Sequence, residues 1–207
     1  MAALTFFHST MNAGKSTHLL QAAHGYSEGG GNALLFTSAI DNRAGVGRIA
    51  SRIGIAADAY PLHAGEDLFD IVARSIALAP VSAVLIDEVQ FLSPAQIQQA
   101  AKIVDHFQIP VLAFGIKNNS LGQLFGPAVC ELLAIADVIK EIERVCHCGR
   151  KATMILRYDP SGQAVKAGAV VEIGGEDRYI SVCRPHWMEG DIGPTRRAAL
   201  VPDAVAA

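Results

Sequence analysis

Charge is scarce in this chain of 207 residues: Asp, Glu, Lys and Arg make up 18%, and their balance is −3. A protein that grips a nucleic-acid backbone carries a basic stripe, and none is present, so nucleic acid is excluded as a partner. Aromatic residues are also few, at 6% with a single Trp, too few to interleave such a stripe with stacking platforms. No apolar run is long and unbroken enough to cross a bilayer, so no membrane partner is expected. The opening Met-Ala-Ala-Leu-Thr-Phe-Phe-His lacks a basic n-region; it is expected not to be a signal peptide, and a cytoplasmic location follows as the expectation. Cysteines number four, Cys130, Cys146, Cys148 and Cys183. In a reducing compartment the close pair points to metal before disulfide. What the chain does have is apolar substance, 51%, enough for one domain with a large core plus a small appendage.

The stretch from Leu4 to Leu20 organises the rest. A short apolar, aromatic-rich run reads as a buried strand. A polar turn follows, then Gly14-Lys15-Ser16-Thr17, then an apolar-periodic helix. Alone, Gly-Lys-Ser is an ordinary helix start. Strand, turn, Lys-Ser and helix together form the context of a phosphate-binding loop. The N–H groups and dipole at the helix start favour an anion. Lys15 reaches toward outer phosphates, and the Ser16 hydroxyl is placed for Mg²⁺. The general pattern G-x-x-x-x-G-K-[ST] is broken at its first glycine, which here is Ser9.

Beyond the breaker Gly29-Gly30-Gly31-Asn32, Ala33 to Thr37 reads as a second strand. Ser38 to Gly54 reads as a loop at a strand end, where α/β sheets gather ligands. Its Arg43, Arg48 and Arg52 are either ligand-facing or merely solvated. Glu66 to Leu78 has helical spacing in Leu68, Ile71, Val72 and Ile76. Ala83 to Ile86 is a continuous apolar run, as in a central parallel strand. Ser93-Pro94 opens the next helix as N-cap and first turn. Ile109 to Ile116 is a strand, Leu124 to Ala134 a helix with Cys130 on its core face, and Val138 to Ile142 a further strand. This alternation predicts an α/β fold, a P-loop NTPase-like parallel sheet with helices on both faces. Residues 1–143 form that domain. Residues 144–187 read as a small β-rich subdomain, and residues 188–207 as a flexible tail.

A second motif ends the central strand. Asp87 is placed to hold Mg²⁺. Glu88, next to it, is placed to accept a proton from an attacking hydroxyl or water. Asp-Glu-x-Gln also occurs in nucleic-acid motor ATPases, but those need a second core domain. A third constellation, Cys146-x-Cys148 and Cys183-x-x-His186, supplies four soft or imidazole ligands for structural Zn²⁺. The one-residue spacing of the first pair is tighter than usual, and the competing reading is cysteines acting as buried hydrophobes.

Together these motifs resemble the P-loop, zinc-bearing thymidine kinases of bacteria and animals. The resemblance runs from Leu4 to Trp187. It rests on Ser-x-Met-Asn-Ala-Gly-Lys-Ser-Thr at 9–17, Asp-Glu-x-Gln-Phe at 87–91, Cys-x-Cys-Gly at 146–149 and Gly-Gly-x-x-x-Tyr-x-x-x-Cys-x-x-His at 174–186. It implies transfer of the ATP γ-phosphoryl group to the 5′-hydroxyl of thymidine, with Glu88 as the base. It implies an ATP and Mg²⁺ site from Ser9, Thr10, Met11, Asn12, Ala13, Gly14, Lys15, Ser16, Thr17, Asp87, Glu88, Val89 and Gln90, with Ser16 and Asp87 serving Mg²⁺. Met11, Phe91 and Phe125 would wall the thymine. Val170, Val171, Glu172, Ile173, Gly174 and Tyr179 match a lasso over the nucleoside, anchored by zinc on Cys146, Cys148, Cys183 and His186. A homotetramer inhibited by thymidine triphosphate is also implied. One loop departs from the pattern: at 117–121, Ser120 stands where the family has a phenylalanine, and Asn119 where bacterial members often have Asp. That departure leaves another deoxynucleoside as the alternative substrate, or plain ATP hydrolysis as the alternative activity. It also predicts that Ser120→Phe restores a missing wall and tightens thymidine binding; the rival reading is that Leu121 or a shifted loop already fills the space, so that the added bulk overpacks it.

Overall fold

The computed structural model describes residues 1–168 and 178–200. The chain divides into two units. The first comprises Met1–His8, Gly14–Lys117 and Phe125–Ile142; the second comprises Ser9–Ala13, Asn118–Leu124 and the described residues from Glu143 onward.

The first unit is laid down as β1 (Leu4–Ser9), α1 (Lys15–Glu28), β2 (Ala33–Ser38), β3 (Arg48–Ala50), β4 (Ala56–Asp58), β5 (Tyr60–Leu62), α2 (Leu68–Leu78), β6 (Ala83–Asp87), α3 (Pro94–Phe107), β7 (Val111–Ile116), α4 (Pro127–Ile135) and β8 (Val138–Glu141). Six of the strands form one sheet in the order β5-β2-β6-β7-β1-β8. β2 pairs with β5 and β6, β6 with β7, and β1 with β8, each in parallel. Every residue of β6 is buried. That is why it runs apolar from Ala83 to Ile86, up to the buried Asp87 at its end: a parallel strand covered on both faces has no polar side to show. Phe6, Phe36, Ile97, Ile103 and Leu132 pack with it into the core.

The helices start where their caps direct. Asp67 accepts the Asp70 N–H at 3.0 Å at the head of α2. Ser93 caps α3 and Pro94 lies in its first turn, as the sequence predicts, and Gln96 completes a reciprocal capping box with Ser93. Chain direction then fixes the functional end of the sheet. The C-terminal ends of β1 and β6 carry the two motifs, where open parallel sheets collect ligands.

Three expectations need correction. The stretch from Ser38 to Gly54 is not all loop: β3 pairs antiparallel with β4 as a hairpin, Ile49 opposite Ala57. Its strands are too short for alternation to be read. Cys130 is exposed rather than in the core, because the buried face of α4 is Ala128, Val129 and Leu132, and position 130 turns off it. α4 itself begins at Pro127, not Leu124, since proline fits a first turn.

In the second unit, β9 (Met154–Arg157) and β10 (Tyr179–Val182) pair antiparallel, followed by α5 (Arg184–Glu189) and α6 (Pro194–Leu200). Leu156, Tyr158, Val182 and Ile192 pack with Cys146 and Cys183 into its own small core. The segment from Met188, expected as a tail, therefore carries a helix and buries Ile192 completely. Among the described residues, no helix is long and apolar enough to cross a membrane.

Candidate active site and metal centre

α1 starts without a side-chain cap. Its N-cap is Gly14 at φ 83, and its first turn holds no acidic residue. The helix's own residues thus offer no acidic group or side-chain cap to its positive end, which favours an anion there. Lys15 opens the helix and is buried. Ser16, next in the same turn, donates its hydroxyl to Asp87 Oδ2 at 2.7 Å, so the glycine-turn helix and the end of β6 meet through that pair.

Asp87 also accepts the Glu88 N–H on its other oxygen, at 3.0 Å. Burial, then the neighbouring Glu88 charge, push the Asp87 carboxyl up to about 7, against the opposing pull of Ser16, Lys15 and the Glu88 N–H. A carboxyl so placed is a ready cation ligand, because a bound cation supplies the countercharge that burial removed. Ser16 Oγ and Asp87 Oδ2 are hard oxygen donors side by side, the donor type Mg²⁺ takes.

Glu88 sits at the turn after β6 with left-handed backbone, φ 51 and ψ 39. A non-glycine residue is rarely held there, and such strain gathers at functional turns. The side chain is buried and gripped at both oxygens. Arg43 Nη2 lies 2.5 Å from Oε1, and Gln90 Nε2 donates to Oε2. Arg43 simultaneously forks onto Asp41, Nε to Oδ1 at 2.6 Å and Nη2 to Oδ2 at 2.8 Å. Gln90 in turn accepts the Ile116 N–H at 3.0 Å, which ties Glu88 to the end of β7. Gly115 makes that tie possible: a Cβ there would stand 2.7 Å from Gln90 Oε1 and from Val89 Cγ1.

Phe91 and Phe125, both assigned to a base wall, meet edge to face at 5.4 Å between ring centres and 86°. Each is only half-buried. Val89, grouped by sequence with ATP, has its side chain fully buried in the core. Thr17 shares a 2.6 Å hydroxyl contact with Ser51.

In the second unit, Met11 lies in a turn whose carbonyls are held. Met11 O accepts Ser181 Oγ at 2.7 Å, and Asn12 O accepts the Arg144 guanidinium. Tyr179 is buried at the start of β10. Val170, Val171, Glu172, Ile173 and Gly174 lie outside the described residues. Loop 118–124 is a tight turn around Asn119, whose Oδ1 accepts the N–H groups of Leu121 at 2.9 Å and Gln123 at 3.1 Å. Ser120 is buried, and its carbonyl accepts the Trp187 indole N–H at 3.0 Å.

The four expected metal ligands do converge. The ligand atoms of Cys146, Cys148, Cys183 and His186 lie within 4.8 Å of one another. Cys148 Sγ is 3.8 Å from Cys183 Sγ, and Cys146 Sγ is 3.4 Å from His186 Nδ1. The cluster can hold a metal ion. The Arg150 N–H is the main influence holding the Cys148 thiol below its usual range, toward the thiolate that metals bind, while burial pushes the Cys183 thiol up. Beside it, His147 stacks flat on His186, 4.3 Å between centres. Asp191 faces both rings, and its carboxyl is held below the usual range, first by the Gly193 N–H.

Sequence reasoning left Arg43 undecided and passed over Trp187, His147 and Asp191. None of these carries a local signal, because each acts on a partner that only the fold brings near.

The sequence model of the thymidine kinase family matches residues 2–187. The chain is 52% identical to a thymidine kinase of Ruegeria pomeroyi over 195 residues, covering 93% of this chain and 98% of that protein. It is 52% identical to a thymidine kinase of Agrobacterium fabrum over 189 residues, covering 91% and 97%, and 48% identical to one of Vibrio cholerae over 189 residues, covering 91% and 98%. By that match and by relatives that align along nearly their whole length, the chain belongs to the thymidine kinase family.

Proposed function

We propose that this chain transfers the γ-phosphoryl group of ATP to the 5′-hydroxyl of thymidine, yielding thymidine monophosphate and ADP. The observation that carries the reading is the group at the end of β6: the Ser16–Asp87 pair at 2.7 Å with the buried, doubly held Glu88 beside it. Lys15 and the head of α1 hold the phosphates. Ser16 and Asp87 would hold Mg²⁺, which would supply positive charge to offset that of the phosphates. Glu88 takes the proton of the 5′-hydroxyl as its oxygen bonds to the γ-phosphorus and the bond to ADP breaks. Arg43 and Gln90 fix the carboxylate in position for that transfer. The half-buried Phe91–Phe125 pair offers an aromatic edge to the base.

The metal of the Cys/His cluster is zinc in this reading, in a structural role. Zn–S bonds of about 2.3 Å around a tetrahedral centre set sulfurs about 3.8 Å apart, the spacing of Cys148 and Cys183. Three cysteines and one histidine close the shell and leave no open position for chemistry. A cytoplasmic location, a homotetramer and feedback by thymidine triphosphate complete the reading and are supported by family resemblance alone.

The test is incubation with γ-labelled ATP and a panel of nucleosides. Label on thymidine is expected. Label on another deoxynucleoside only would change the substrate, free phosphate alone would make the chain an ATPase, and no turnover would overturn catalysis.

A further inference from the structure

α5 ends in a glycine turn. Gly190 sits at φ 75, a conformation a side chain would strain. Its N–H reaches Trp187 O at 3.3 Å, and the Asp191 N–H reaches His186 O at 2.8 Å, in the manner of a Schellman cap. The turn folds the chain back on the helix, so the Asp191 carboxylate returns beside His186, the fourth ligand of the metal cluster.

The two oxygens of that carboxylate have different tasks. Oδ1 accepts the Gly193 N–H at 3.0 Å and Arg197 Nη2 at 2.9 Å. Oδ2 faces the imidazoles, 3.8 Å from His147 Nε2 and 3.9 Å from His186 Nε2. These are electrostatic separations, longer than hydrogen bonds. His186 turns its other nitrogen, Nδ1, toward Cys146. An imidazole that gives Nδ1 to a metal keeps its proton on Nε2, the atom aimed at Asp191. The parallel His147 ring closes one face of His186.

We propose that Asp191 is a positioning residue of the metal centre: anchored by Gly193 and Arg197 through one oxygen, it orients His186 through the other and raises the cluster's hold on zinc. The proposal rests on the zinc reading above. Asp191 lies beyond the residues 2–187 matched by the family model. Carboxylates placed behind ligating histidines fix ring orientation and strengthen the ligand.

Asp191→Asn in the full chain tests it, because the amide oxygen can still serve Gly193 and Arg197 while the charge facing the imidazoles is gone. Zinc content and competition with a chromophoric chelator are measured alongside thermal melting of zinc-loaded and zinc-stripped protein. The expected result is one zinc per chain in both proteins, held about 10- to 100-fold less tightly by the variant. The stripped proteins should melt alike, and Asp191→Glu should recover part of the affinity. Unchanged zinc affinity overturns the proposal. So does a melting loss that persists equally after stripping, which would make Asp191 a local brace only. Two zinc ions per wild-type chain would make Asp191 and His147 ligands and also overturn it. A wild-type chain that takes up no zinc overturns the zinc reading itself, and this proposal with it.

Discussion

The guanidinium of Arg43 reaches the carboxylate of Glu88, Nη2 to Oε1 at 2.5 Å, from a loop 45 residues earlier in the chain. Glu88 is buried while Arg43 keeps 39% of its side chain exposed. The buried partner therefore depends on the exposed one for its countercharge. Removing one member of a buried pair leaves the other uncompensated, a loss of about 3–5 kcal/mol when both are buried and less when one is solvated. Arg43→Ala should therefore lower the melting temperature and turnover. In a Glu88→Gln background, where only the more exposed Asp41 remains for Arg43 to compensate, the same substitution should lower melting less. Glu88→Gln alone should reduce turnover by about 10²–10⁴-fold with ATP binding nearly intact. A double-mutant cycle on melting and on kcat measures the coupling, and strict additivity would show that the pair is incidental.

Gly115 gives a second handle on the same carboxylate, from behind. Gln90 bridges Glu88 and the Ile116 N–H, and there is no room for a Cβ between Gly115 and that amide. Gly115→Ala should push Gln90 aside, freeing one oxygen of Glu88. Overpacking of this kind costs about 1–3 kcal/mol. The expected pattern is a drop in kcat larger than any change in KM for ATP, since the phosphate loop is untouched. Kinetics at saturating and limiting ATP separate the two, and a variant with wild-type kcat would remove Gln90 from the positioning role.

Much of this arrangement is legible in the chain. β6 declares itself because a strand buried on both faces is apolar along its length up to Asp87, β1 because a short apolar, aromatic-rich run precedes the glycine turn, and the residues that end them, Ser9 and Asp87, mark the ligand side. The cysteines and His186 are legible because metal geometry fixes their chemistry, whatever the fold. The hairpin of β3 and β4 is not legible, since three-residue strands show no period. Arg43 is not legible either: an arginine in a polar loop looks the same whether it faces water or a buried carboxylate. Asp191 fails for the same reason, because its partner histidine is met only through a turn.

Asp87 predicts a pH dependence. Its folded-state value is raised to about 7 from 3.8. The folded protein therefore keeps a proton that the unfolded chain has lost. Stability from this group is highest below the unfolded value, falls as pH rises through that window, and levels off above about 7. Asp87→Asn cannot ionise and escapes the loss. In metal-free, nucleotide-free protein the variant should melt above wild type at pH 8, with the difference shrinking toward pH 4. Excess Mg²⁺ with ATP should narrow the gap at pH 8 by stabilising only the wild-type carboxylate. Melting curves across that range check the sign; a difference independent of pH would mean that Asp87 ionises as freely folded as unfolded.

Ser120 reverses an expectation. Read from sequence, it is a missing aromatic wall, and Ser120→Phe should tighten thymidine binding. In the structure the side chain is buried, at 4% exposure, and its backbone is already committed. Trp187 donates to the Ser120 carbonyl at 3.0 Å, and the indole lies so close to the turn that a Cβ on Gly122 would meet it at 2.9 Å. Asn119 caps the same turn with its side-chain oxygen. A phenylalanine at 120 must displace these groups, at about 1–3 kcal/mol, or roughly 2–4 °C of melting temperature per kcal/mol in a chain of this size. The expected outcome is lower melting and a thymidine KM that is unchanged or raised. Trp187→Phe is the companion variant. It keeps a smaller ring beside the turn but removes both the N–H and the outer indole atoms that face Gly122, so it should lose about 1 kcal/mol for the hydrogen bond plus the packing of those atoms, and the space it opens should soften the penalty of Ser120→Phe when the two are combined. Thymidine kinetics and melting of the two single variants and the double variant decide the matter. A Ser120→Phe protein that melts like wild type and binds thymidine several-fold better would restore the missing wall and remove Trp187 as the group that fills its place.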